Sequence, residues 1–142
     1  MKTRSILVLA LLALALPILA LTSKAQQKPE DLDQKSTEAW LALTDSGKYP
    51  ESWDEAAQSF ENAVSRDQWV NQIKPVRSPP GKVVSRKLKS ATYTKALPGA
   101  PRGEYVILQY ETNFENRPSS LETLAPMLDK DGKWRVSGYY IK

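Results

Sequence analysis

GKVVSRKLKSATYT, residues 81–94, is the stretch on which the reading of the fold turns. Residues 82–95 are rich in Val, Thr and Tyr and hold no helix stop signal, and Pro79-Pro80-Gly81 closes whatever helix precedes them. Their alternation is imperfect: Val84 and Leu88 share one phase, while Val83, Ala91 and Tyr93 share the other. A strand that changes phase carries an extra residue, so a β-bulge is expected near Lys89-Ser90.

Downstream the texture stays extended. Residues 97–103, LPGAPRG, form a Pro/Gly loop, and residues 104–114 alternate well, with Val106, Leu108, Tyr110 and Phe114 opposing Tyr105 and Ile107. Residues 116–119 are expected to turn the chain. Residues 121–129 and 133–141 then make a hairpin around Asp131-Gly132, a strong turn signal. Upstream the periods are helical. A polar lead-in at 26–30, read as disordered, precedes a helix over 31–46, with Leu32, Ala39, Trp40 and Leu43 as its stripe and Gly47 as its stop. Tyr49-Pro50 reads as a turn. Ser52-x-x-Glu55 reads as a capping box for a second helix, striped by Trp53, Ala56, Ala57, Phe60 and Val64. Ser65-x-x-Gln68 caps a third, short helix carrying Trp69, Ile73 and Val76, weakened at its end by Pro75. Three helices followed by four meandering strands define an α+β domain whose antiparallel sheet is covered on one face.

The first 25 residues read as a cleavable secretory signal. Lys2 and Arg4 precede an uncharged apolar run of 16 residues (6–21), and Ser23-Lys24-Ala25 offers small residues before a cut at Gln26. The run is shorter than the roughly 20 residues a membrane-spanning helix needs, so membrane contact is expected only through an uncleaved signal. No cysteine follows it, which excludes a lipoprotein anchor. The expected locale is periplasmic or secreted. Removing the leader leaves 117 of the 142 residues as one domain, and the net charge falls from +4 to +1, so the chain is not a basic protein in its mature form.

With no cysteine and no histidine, the domain lacks disulfides, thiol nucleophiles, Fe–S and cysteine-zinc sites, Ser-His-Asp triads and HExxH zinc sites. No cofactor is expected. Stability must rest on a core, for which four Trp and six Tyr supply large rings.

Three stretches carry a resemblance: WLALTDSGKYPESWDEAA at 40–57, GKVVSRKLKSATYT with LPGAPRGEYV within 81–106, and DGKWRVSGYYIK at 131–142. Together they resemble an uncharacterised family of small secreted bacterial proteins, domain of unknown function 4019. That family is similar to the nuclear transport factor 2-like, or cystatin-like cone, superfold, and the resemblance implies helices packed into the hollow of a curved four-stranded sheet. It carries over no catalytic residue, and a superfold shared by enzymes and binding modules assigns no activity.

Charge is segregated along the chain. Residues 26–67 hold ten acids and four bases, whereas residues 68–103 hold no acid and eight bases. The first strand with its flanking loops is thus a candidate surface for an anionic small molecule, an envelope component or an acidic protein, with Arg77, Arg86, Lys87 and Arg102 as contact residues. On that reading, Arg86→Glu with Lys87→Glu removes binding and leaves the melting temperature nearly unchanged. The plainer reading is that these bases pair with the acidic helices or are solvated. Nucleic acid is not an expected partner, and a homodimer through the open sheet face is a further arrangement.

The aromatic set Trp40, Tyr49, Trp53, Phe60 and Trp69 reads as ordinary core, with a pocket facing Tyr93, Tyr105 or Trp134 as the alternative. An isomerase- or hydro-lyase-like site needs a carboxylate base with a tyrosine donor. Glu104, Glu111 or Glu122 with Tyr105, Tyr110 or Tyr139 are the formal candidates, and nothing in their spacing selects a pair. Asp129-Lys130-Asp131-Gly132 is a hairpin turn rather than a calcium loop, because its Gly is fourth and its twelfth position is Tyr140. Gly81-Lys82 lacks the first Gly and the following Ser/Thr of a phosphate loop.

Overall fold

The computed structural model describes residues 28–142; the expected signal at 1–25 lies outside them. Four helices precede four strands: α1 Pro29–Asp45, α2 Tyr49–Asp54, α3 Gln58–Ala63, α4 Arg66–Arg77, β1 Val83–Thr94, β2 Tyr105–Phe114, β3 Arg117–Leu128 and β4 Trp134–Ile141. The strands form one antiparallel sheet in the order β1-β2-β3-β4, the meander expected from the short connections. No helix among the described residues is long and apolar enough to cross a membrane.

The helical half differs from expectation in its count, and the reason is local. Pro50 starts α2 rather than a turn, since a proline in the first turn lacks only an N–H that a helix start leaves unpaired anyway. That places Ser52 inside α2, buried, so it cannot cap. Its hydroxyl donates to the Tyr49 carbonyl at 2.7 Å and accepts from the Trp69 indole at 2.9 Å, while its carbonyl accepts from the Trp40 indole at 2.8 Å. The expected stripe from Trp53 to Val64 breaks at Ala57, whose N–H leaves the helix to bond the Val136 carbonyl on β4 at 2.8 Å. The Ser65–Gln68 capping box is present in both directions and starts α4. Helix α4 runs past Pro75 to Arg77, and Val76 is exposed while Arg77 takes the buried place one turn beyond Ile73. On α1, which starts at Pro29 in the expected polar lead-in, the buried face is Asp33, Thr37, Trp40, Leu41 and Thr44, rotated from the expected stripe so that Ala39 is exposed.

The sheet carries the phase change read from the sequence. The β1–β2 register slips between Leu88 and Ser90, and also between Val83 and Ser85. Leu88 stands opposite Tyr110, Ala91 opposite Leu108 and Tyr93 opposite Val106, so both phases of β1 reach the helix-covered face in turn. Val84, displaced by the first slip, is 69% exposed. The turn expected at 116–119 is tighter: β3 already begins at Arg117, and Ser119 within it has a left-handed φ of +54°. The Asp131-Gly132 hairpin closes as expected, Gly132 adopting φ +82°.

One core forms between α1, α2, α4 and the sheet, from Trp40, Leu41, Tyr49, Trp69 and Ile73 against Val106, Leu108, Tyr110, Leu124 and Val136. Trp40 lies 6.0 Å from Trp69 and meets Tyr139 edge-on at 5.3 Å, and Phe60 meets Trp69 edge-on at 4.9 Å. These rings occupy the space beneath the helices. A second, smaller cluster joins Ala57, Tyr105 and Met127, onto which Leu97 and Ala100 of the 97–103 loop fold.

Candidate functional site

The four bases proposed from the sequence divide into two groups. Arg77 and Arg86 point inward. Arg77 is 3% exposed; it donates to the Gly81 carbonyl at 2.6 Å and to Asp45 at 3.1 Å, and its guanidinium lies 4.6 Å over the Phe114 ring. Arg86 donates to both oxygens of Asp45 at 2.8 and 2.9 Å and to both oxygens of Glu122 at 2.7 and 3.2 Å. Lys87 and Arg102 are exposed, and among the described residues neither makes an ion pair. Lys87 faces the opposite side of the sheet from Arg86, across from Glu111 on β2. Arg102 sits on the loop beyond Thr94, roughly 20 Å along the strand direction from Lys87 at about 3.3 Å per residue. The four do not form one patch.

Asp45 ends α1, Arg77 ends α4, Arg86 is on β1 and Glu122 on β3, so a single charge-balanced network ties both layers together. Glu122, fully buried, also accepts from the hydroxyls of Thr112 and Tyr139. Its two oxygens therefore accept four hydrogen bonds, about the capacity of a carboxylate. The Asp45 and Glu122 carboxylates hold the Arg86 guanidinium charged, raising its pKa against the opposing cost of burial, which is the largest single influence. Burial, followed by the neighbouring Glu122 charge, pushes the Tyr139 phenol up, so it remains the donor in that bond.

The spacing selected no carboxylate–tyrosine pair, but the structure does: Glu122 meets Tyr139, and Glu104 meets Tyr93. Tyr105 donates instead to the Pro101 carbonyl at 2.6 Å. Glu122 is fully buried, Tyr139 is partly buried against the core, and neither lines the main surface clefts. A reactant has no free Glu122 lone pair to meet. Glu104 does line a cleft, of about 570 Å³, with Lys95 and Arg102. In the β3–β4 hairpin, Arg135 donates to Asp129 and Asp131 at 2.7–2.9 Å. That bond holds Asp131 down at about 2. No group of three Asp or Glu side chains suited to a metal occurs among the described residues.

Tyr110 adds a pH signature. Burial, then the charges of Glu38 and Asp33, push its phenol up to about 12, and Tyr105 and Tyr139 are also raised. An unfolded tyrosine ionises near 10. Stability from these groups is therefore complete below pH 10 and falls as pH rises from 10 towards 12, because the unfolded chain releases protons first. In a spectrophotometric titration at 25 °C, three of the six tyrosines should ionise only together with loss of the far-ultraviolet helix signal. Six independent titrations near 10 would contradict this burial.

Fold and site together define a small α+β domain with a filled, ion-braced interior and its reachable polar groups at the rim. The chain belongs to the family described as "Protein of unknown function (DUF4019)", whose model matches residues 36–139. Neither the search of curated proteins nor that of solved structures gave a match.

Proposed function

We propose that this chain is an exported, non-catalytic accessory domain that recognises an anionic ligand or an acidic protein through the bases of β1. The N-terminal leader supports export, to the periplasm or the medium, and the helix-covered sheet is read as a cystatin-like cone whose hollow is filled by the tryptophans. One observation carries the binding assignment: the interior bases are neutralised by Asp45 and Glu122, whereas Lys87 and Lys89 on β1 are exposed and make no ion pair among the described residues. Surface charges left unpaired act at a distance on a charged partner.

The test uses the mature domain on an immobilised sulfated polysaccharide. The wild type should be retained at low salt and released as salt screens the contact. Lys87→Glu with Lys89→Glu should lose most of that retention while the melting temperature stays within about 3 °C, as expected for surface changes. Equal retention by the double variant would end the assignment.

A second reading has its own support. Two register slips and two lysines on an edge strand are the devices that prevent edge-to-edge pairing. In that case the double variant self-associates in sedimentation and binds as before. The catalytic alternative rests on Glu104 with Tyr93 at the 570 Å³ cleft, a site too open to strip water from a reacting group.

A further inference from the structure

Two clefts meet at Arg102, away from the β1 bases. One, of about 740 Å³, runs between α3 and the β3–β4 hairpin and has Ser59, Asn62 and Met127 in its walls. The other, of about 570 Å³, holds Leu97, Ala100 and Glu104. Pro101 and Arg102 line both, so the two clefts adjoin at this pair, and a ligand laid across it reaches both. Each volume is within the range of small-molecule sites. The shared wall is pinned before any ligand arrives. Tyr105 holds the Pro101 carbonyl at 2.6 Å, and Leu97 and Ala100 pack on the Ala57–Tyr105–Met127 cluster. A fixed wall lowers the ordering cost of binding.

The composition of the lining narrows the ligand. It includes no Phe, Tyr or Trp, so a sugar ring has no aromatic face to lie on. It carries four bases, Lys95, Arg102, Lys130 and Arg135, and four acids, Glu61, Glu104, Asp129 and Asp131. A polyanion would meet repulsion as often as attraction there. A ligand bearing one charge of each sign suits it. Arg135 is committed to the two hairpin aspartates, whereas Arg102 makes no ion pair among the described residues and sits at the junction. Glu104 accepts from Tyr93, and a carboxylate has further capacity for an ammonium group. Met127 supplies an adaptable apolar floor.

We infer that these adjoining clefts bind a short peptide with free termini: the carboxylate on Arg102, the ammonium on Glu104 and an apolar C-terminal side chain over Met127. A guanidinium takes a carboxylate in a paired, planar contact that fixes orientation. The site is separate from the β1 surface, so either assignment stands or falls without the other.

The experiment follows backbone amide shifts of the mature domain on adding Ala-Ala-Leu, its N-acetylated form, its C-amidated form, and tri-N-acetylchitotriose. The free tripeptide should shift amides at 59–62, 100–104 and 127–131, and each cap should weaken it about tenfold. Arg102→Ala should weaken the free peptide by a similar factor but leave the affinity of the amidated peptide unchanged. Glu104→Gln, which keeps an acceptor for Tyr93, should do the same for the acetylated form. That cross-pattern ties each terminus to one residue. The inference is overturned by no shift at 10 mM peptide, by caps without effect, by shifts centred on β1, or by the oligosaccharide binding in place of the peptide. Retention on the sulfated matrix is unaffected in every one of these cases, which separates failure here from failure of the β1 assignment.

Discussion

Arg86→Glu is expected to unfold the domain, or nearly so. The substitution leaves Asp45 and Glu122 without their shared cation and adds a third carboxylate beside them. Glu122 is fully buried, and stripping one partner from a buried pair costs about 3–5 kcal/mol before any new repulsion is counted. Domains of this size have about 5–15 kcal/mol in total. Urea unfolding followed by circular dichroism should show a midpoint near zero denaturant for Arg86→Glu. Replacing Arg86 with Met and Glu122 with Leu together should cost less than the single change, because no charge is then stranded inside. A melting temperature unchanged by Arg86→Glu would mean that the network holds nothing together. The same geometry reverses the expectation drawn from charge pattern alone, in which Arg86 was a surface contact that a glutamate could replace without cost.

Trp40→Ala should be the most damaging apolar truncation, at about 3–5 kcal/mol. Trp40 is 3% exposed, touches both Trp69 and Tyr139, and donates its indole N–H to the Ser52 carbonyl. Its loss opens a cavity at the meeting of α1, α2 and β4 and leaves that carbonyl unpaired. Trp134, only partly buried at the margin of the core, should cost less than half as much when truncated. Parallel urea curves for the two variants give the comparison. Equal losses would show that the core is not centred on Trp40.

What could be read in advance depended on whether the deciding contact was local. The Ser65–Gln68 box, the Asp131-Gly132 turn and the slip near Lys89 are all set by neighbours in the chain, and each is present. At Ser52 two start signals compete, and Pro50, standing earlier, begins the helix first. The break at Ala57 depends on a β4 carbonyl 79 residues away, which no local pattern contains. The site divided in the same manner. Excess base in 68–103 was visible, but the fate of each base was not, since Arg86 finds its acids 41 residues before it and 36 after it. A signal did exist. Arg77 continues the four-residue spacing of Trp69 and Ile73, and Arg86 shares the phase of Leu88, so both positions lie on inward faces. Hydrophobic pattern alone passes over a charged residue in such a place.

The interior network has a further effect on when the fold can close. Glu122, Val136 and Tyr139 all come from the final quarter of the chain. A growing polypeptide that has made its helices and first two strands still holds Arg86 and Asp45 with no buried carboxylate to complete them. Such a chain can already bury most of its apolar rings, but its interior charges are matched only once β3 and β4 are in place. A truncation at the C-terminus that loses Tyr139 would strip the buried Glu122 of a donor rather than merely trim an edge.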